Sequence, residues 1–221
     1  VAKVKEREGL SSTTMILARH GATAANLSRP YILQGQGVDL PLDPLGVEQA
    51  EALARALSHE TIHAVYCSPL VRARDTAERA SRVHGLTPRL VPEITEANAG
   101  RWEGKSWDDI GQHWPEERRL HDEDPAAHGY PSGETFLDVR DRVVPAMEQI
   151  AAGHRGQTVL VVAHNVVNRA ALAHWLNLPI KYSRRLPQNN AAFNVVVFEE
   201  PKTRVHTINV NKHLAGLLPP D

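Results

Sequence analysis

Residues Ile16–Asn26 read ILARHGATAAN, a short apolar run that stops abruptly at an arginine, a histidine and a glycine. An aliphatic run this short, bounded by polar residues, has the pattern of a strand buried on both faces. Met15–Ala18 is therefore expected as a strand, and Val159–Ala163, followed by His164 and Asn165, repeats the pattern. Ala64–Cys67 is a third, weaker candidate and delivers Ser68, Pro69, Leu70, Val71 and Arg72.

Helical spacing accompanies these runs. Ala73, Thr76, Ala77, Ala80 and Val83 repeat along Arg72–His84 before Gly85 supplies a stop. Ala50, Leu53, Ala54 and Leu57 form the same stripe upstream. Phe136, Val139, Val143, Met147 and Ile150 form another, ending at Gly153, with Pro145 inside it as an expected kink. Strands alternating with helices predict an α/β fold, a three-layer α/β/α arrangement with a largely parallel central sheet. Asn194–Phe198 and Arg204–Val210 read as a C-terminal hairpin at a sheet edge. The polar stretch 102–134 reads as a lid excursion anchored by Trp107, Ile110 and Trp114. Residues 14–214 are expected to form a single catalytic domain, with flexible tails at 1–13 and 215–221.

The totals exclude several classes. Lys+Arg number 25 and Asp+Glu 26, so no global field draws the chain to nucleic acid or acidic membranes, and any anion must be caught locally. The single cysteine, Cys67, forbids an internal disulfide. The aliphatic runs fall well short of the roughly 18 residues that span a bilayer. The charged beginning VAKVKEREGLSS lacks an apolar signal core, and a cytoplasmic location is expected.

In open α/β sheets, ligands bind at the carboxyl ends of the strands. Here those ends carry Arg19-His20-Gly21, the segment reaching Arg72, and His164-Asn165. Two arginines and two histidines at one edge suit phosphoryl transfer, which is helped mainly by fixed cations and hydrogen-bond donors around the phosphoryl oxygens. Arginine stays charged and binds two oxygens at once. Histidine, with an ordinary pKa of about 6.5, offers a neutral ring that can attack phosphorus. Gly21 is expected to let the backbone approach the phosphate closely.

Four segments in order, ARHGATAAN, YCSPLVRARDTAE, ITEANAGRWEG and LVVAHNVVNRAALAHWL, resemble the histidine phosphatase superfamily, the phosphoglycerate-mutase-like proteins, over about residues 14–214. The resemblance implies a metal-independent phosphomonoesterase that hydrolyses a small phosphorylated metabolite through a phosphohistidine, without a cofactor. It makes His20 the nucleophile, Arg19 and Arg72 the phosphate clamps, His164 the second pocket histidine and Glu96 the proton donor. Thr23 and Asn26 match phosphate-contacting positions, and Gln34-Gly35 resembles a substrate-facing turn. Ala22 stands where relatives most often have an acidic residue, and Asn165 where many have glycine. Both are expected to line the leaving-group side of the pocket. His213-Leu214 resembles a recurring ending whose role is open, and homodimers are allowed by the resemblance.

Other readings compete at particular residues. Glu93 and Glu103 share the Glu96 segment, and either is the acid if the loop runs differently. His59 and His63, at i and i+4, invite a metal, but no further ligand is placed near them. A mutase would use the same chemistry. The family's mutases carry a longer insertion than the 68 positions from Glu96 to His164, which favours hydrolysis. A phosphate-binding module without activity would be expected to lack one of the five catalytic candidates.

Overall fold

The structure, a computed structural model, describes residues 12–200 and 202–218. The expected tail 1–13 lies largely outside the described residues, but its last residue belongs to the fold: Thr13 is buried and its hydroxyl donates to the Ala151 carbonyl at 2.7 Å. At the other end, the Leu217 carbonyl accepts from the Gln49 side chain at 2.8 Å, so the expected C-terminal tail is anchored at least that far.

Six strands form one sheet: β1 (Thr13–Arg19), β2 (Ala64–Cys67), β3 (Arg89–Leu90), β4 (Thr158–Ala163), β5 (Phe193–Glu199) and β6 (Lys202–Val210). Their order is β3-β2-β4-β1-β5-β6, parallel from β3 through β1 and antiparallel from β1 to β6. The C-terminal hairpin thus extends the sheet at one edge, as its sequence predicts. β3 has two exposed residues and no apolar signature.

Alternation along β1 explains the layers. Met15 and Leu17 join the core beneath helices α6 (Phe136–Ala152) and α7 (Asn165–Trp175), with Val143, Met147 and Val167. Ile16 and Ala18 join the opposite core beneath α2 (Pro44–Leu57) and α3 (Val71–Arg82), with Leu53, Leu57, Ala73 and Ala77. A strand covered on both faces reads as a nearly continuous apolar run, here Met15–Ala18. Pro145 is accommodated within α6, which runs on to Ala152.

The stretch 102–134 is less of an excursion than its polarity suggests. It contains α4 (Trp107–His113), capped by Ser106, and α5 (Pro115–Glu123), which begins on a proline. Trp102, Ile110, His121 and Tyr130 are buried, and His121 packs against the rings of Trp102, Trp107, Tyr130 and Phe136. The segment is a packed cap with an aromatic interior.

Candidate active site

Strand register assembles the site. Arg19 at the end of β1 pairs with Ala163 at the end of β4, so His20 and His164 emerge side by side. The His20 amide donates to the Ala163 carbonyl at 3.1 Å, and the two rings lie 5.1 Å apart. Arg72 arrives in the first turn of α3, the helix that follows β2. A cleft of about 260 Å³ opens here, lined by Arg19, His20, Arg72 and Glu96 on the sheet side. His164 is fully buried, and neither ring nitrogen has a hydrogen-bond partner.

Proton positions on His20 follow from its one partner. Its Nδ1 lies 2.7 Å from the Gly21 carbonyl, an acceptor, so Nδ1 carries the proton and Nε2 of the neutral ring holds the lone pair. Burial, then the positive charges of Arg72 and Arg19, push the His20 pKa well below the ordinary value. His164 is lowered in the same direction by burial and then by Arg72. Both rings are neutral at pH 7.

The arginines are held by carbonyls as well as carboxylates. Arg19 Nη1 donates to the Gln188 carbonyl at 2.6 Å. Arg72 Nη2 donates to the Gly35 carbonyl at 2.8 Å, and its Nη1 lies 3.3 Å from Asp39 Oδ1. Each keeps a buried Nε without a partner.

Glu96 is separated from its competitors by what surrounds each. Its carboxylate lines the cleft and accepts from the Ala97 amide at 2.9 Å and the Asn165 amide, at the start of α7, at 3.1 Å. Glu93 is exposed. Glu103 accepts from the amides of Gln36 at 2.9 Å and Gly37 at 2.6 Å, bracing the turn that carries Gln34 and Gly35. Gly35 sits at φ +60°, where an added Cβ would fall 2.2 Å from that carboxylate, so glycine is needed there twice over. Arg142 of α6 clamps the acid loop, donating to the carbonyls of Thr95 at 2.7 Å and Glu96 at 3.2 Å and pairing with Glu134.

Asn26, Gln34, Gly35 and Asn165 line the cleft. Three expectations are corrected. Thr23 is fully buried and caps the four-residue helix α1 (Ala24–Leu27), its hydroxyl donating to Asn26 Oδ1, so it does not face the cleft. Ala22 lies beneath the loop, its amide held by Gln49 Oε1 at 2.8 Å, and takes no part in the lining. Gly21 is glycine for packing: its amide donates to Thr76 Oγ1, and a Cβ there would meet the Gly46 carbonyl oxygen at 2.4 Å.

Several cleft residues have no site role assigned from the sequence. Tyr31, Trp107, His121 and Tyr130 also line the cleft, and Arg169 and Arg184 add charge. Burial lowers the His121 pKa to about 4. Behind the nucleophile, Asn190 Nδ2 donates to the His20 carbonyl at 3.1 Å and to Asn26 Oδ1 at 3.2 Å. Ala191, at φ +56°, donates its amide to the same His20 carbonyl and accepts from His213 Nε2 at 3.0 Å. His213 therefore braces the backbone behind the nucleophile. Among the described residues no group of three or more His, Cys, Asp or Glu could hold a metal ion, and His63 Nδ1 accepts from the Thr158 amide. No described helix is long and apolar enough to cross a membrane.

The family model of the histidine phosphatase superfamily (branch 1) matches residues 15–211, which include β1 from Met15, the other five strands and the whole cleft. The chain belongs to this superfamily. Among the relatives of this histidine phosphatase, phosphoserine phosphatase 1 of Hydrogenobacter thermophilus is 30% identical over 201 residues, 90% of this chain and 93% of that protein. A metal-independent phosphoserine phosphatase of Arabidopsis thaliana is 32% identical, over 93% of this chain and 84% of its own. Two solved structures share its fold closely. Bacillus stearothermophilus YhfR has a TM-score of 0.85 at 29% identity, covering 91% of this chain and 99% of the other. A mycobacterial glucosyl-3-phosphoglycerate phosphatase has a TM-score of 0.80 at 27% identity, covering 90% and 99%.

Proposed function

We propose that the protein hydrolyses a small phosphorylated metabolite, without a metal, through a phosphohistidine at His20. The observation that carries this reading is the His20 ring itself: Nδ1 is committed to the Gly21 carbonyl, Nε2 is left with its lone pair, and burial, reinforced by Arg72 and Arg19, keeps the ring neutral. Nε2 attacks phosphorus as the bond to the leaving oxygen breaks, with Arg19 and Arg72 balancing charge on the phosphoryl oxygens. Glu96 protonates the leaving oxygen and then takes a proton from the water that displaces His20 from phosphorus. His164 is fully buried beside the nucleophile, its ring 5.1 Å from that of His20 and its nitrogens unpartnered, and it does not itself line the cleft, whereas Asn26, Gln34 and Gly35 do. The names of the relatives, which specify phosphoserine and glucosyl-3-phosphoglycerate, support a small phosphomonoester as substrate.

The test is phosphate release from p-nitrophenyl phosphate in the presence of a chelator. Release by the unmodified chain that persists with chelator and disappears in His20→Ala is expected. Loss of activity on chelation, or full activity in His20→Ala, would overturn the proposal.

A further inference from the structure

An apolar strand face carries an asparagine. Alternation along β5 puts Asn194 on the same side as Val196, a member of the core beneath α6 and α7, and Asn194 is fully buried. A buried amide in such a place is costly unless its donors and acceptors are used. Asn194 uses them all. Its Nδ2 donates to the Leu17 carbonyl at 2.8 Å and to Gln188 Oε1 at 3.0 Å, and its Oδ1 accepts from the Asn209 amide and from Gln188 Nε2, both at 2.9 Å.

Backbone groups fix the direction of every bond in this cluster. The Leu17 carbonyl can only accept and the Asn209 amide can only donate, so the Asn194 side chain has a single possible orientation. That orientation sets Gln188, itself buried, whose Nε2 also donates to the Pro187 carbonyl at 2.6 Å. Gln188 Oε1 in turn accepts from Asn168 Nδ2 of α7 at 3.1 Å. Gln188 is thus clasped from β5 on one side and from the helix that follows His164 on the other.

The backbone carbonyl of this clasped residue accepts from Arg19 Nη1 at 2.6 Å. Among the described residues the Arg19 guanidinium makes no other hydrogen bond and no ion pair, whereas Arg72 is held by the Gly35 and Val38 carbonyls and by Asp39. A carbonyl orients a guanidinium without cancelling its charge, as a carboxylate would. Donors aimed in advance need no reorganisation as charge develops on the phosphoryl oxygens. Resting on the phosphomonoesterase reading, we propose that Gln188 is a positioning residue: clasped by Asn194 and Asn168, it holds Arg19 in the orientation that meets the transferring phosphoryl group.

The test is a double-variant cycle. Gln188→Met keeps the backbone carbonyl and much of the side-chain volume but cannot make the amide bonds. With p-nitrophenyl phosphate it should lower kcat by roughly 10- to 100-fold while KM stays within about threefold, because the misaimed contact belongs to the transition state. Orthovanadate, which takes the five-coordinate shape of the transferring group, should bind roughly 10- to 100-fold more weakly by calorimetric titration, and inorganic phosphate within about threefold of its original affinity. In an Arg19→Ala background the same substitution should change vanadate affinity by less than about twofold, since no guanidinium remains to be aimed. Asn168→Leu, which loosens Gln188 from the helix side, should show the same pattern at roughly 3- to 10-fold, the worth of one neutral hydrogen bond, and it carries the test if Gln188→Met does not fold. Unchanged vanadate affinity, or equal losses with and without Arg19, in whichever variant folds would overturn the proposal and leave the cluster as a strand-pairing element. Turnover of p-nitrophenyl phosphate by the unmodified chain reports separately on the hydrolytic reading. Its absence alongside an Arg19-dependent loss of vanadate binding would retire that reading and keep the aiming of Arg19, and its presence alongside Arg19-independent losses would retire this proposal alone.

Discussion

Gly21→Ala is a sharp test of why glycine follows the nucleophile. A Cβ at Gly21 would lie 2.4 Å from the Gly46 carbonyl oxygen, against an ordinary contact of 3.4 Å or more, so the loop and the first turn of α2 must part by about 1 Å. Neither side of that contact is a flexible side chain. The Gly21 amide is held by Thr76 and the next amide by Gln49, so the strain spreads into α2 and α3. Overpacking of this kind costs about 1–3 kcal/mol. For a chain of this size that lowers Tm by roughly 2–4 °C per kcal/mol, or about 2–12 °C in all. His20 is the neighbouring residue, and a displacement approaching 1 Å lowers kcat/KM by up to about 100-fold. Thermal unfolding and p-nitrophenyl phosphate kinetics measure both effects. Gly46→Ala, whose Cβ would fall 1.9 Å from the Ala22 carbonyl oxygen, should behave alike although Gly46 does not line the cleft. Because both press on one interface, the double variant should lose less than the sum of the two. A Gly21→Ala protein with Tm within 1 °C and a raised KM alone would refute the packing explanation and restore the phosphate-access role.

Other predictions follow from the same geometry. Glu96→Gln should slow turnover by roughly 10²–10⁴-fold with alkyl phosphates and far less with p-nitrophenyl phosphate, whose leaving group needs little protonation; equal losses would remove Glu96 as the acid. Asn190→Ala, which strips a donor from both the His20 carbonyl and Asn26, should destabilise the fold by about 1–2 kcal/mol and reduce kcat/KM; unchanged denaturation midpoint and kinetics would contradict that bracing role. Acid should destabilise the protein early. His20, His164 and His121 stay neutral in the fold below the pH at which they protonate in the unfolded chain, so stability is full above about pH 6.5 and falls below it. Each contributes up to about 1.4 kcal/mol per pH unit until its own folded pKa is reached, which for His121 is about 4. Denaturant titrations at pH 7 and pH 5 giving equal stability would contradict this.

The sequence was most informative where function sits directly on a buried strand. Arg19 ends β1 and His20 follows it, His164 follows β4, and Arg72 lies in the first turn of the helix after β2, so an apolar run announced each of them. Parallel register then places them together without further information from the side chains. What stayed illegible depends on approach between distant segments. Gly21 meets Gly46, and Gly35 meets Glu103, across separations that no local pattern reveals. Arg169 lies on α7 within the segment around His164, but only the cleft shows that it lines the site. His121, beside the acidic run after it, looks solvated in the sequence yet is buried among four aromatic rings, which is why a cap appeared as a loose excursion.

The most direct measurement is rapid quenching of the protein with a ³²P-labelled phosphomonoester, followed by peptide mapping. The account predicts label on the peptide containing His20, stable to base and labile to acid, and absent from His20→Ala. Steady turnover with no labelled protein, or label carried by a different residue, would contradict it.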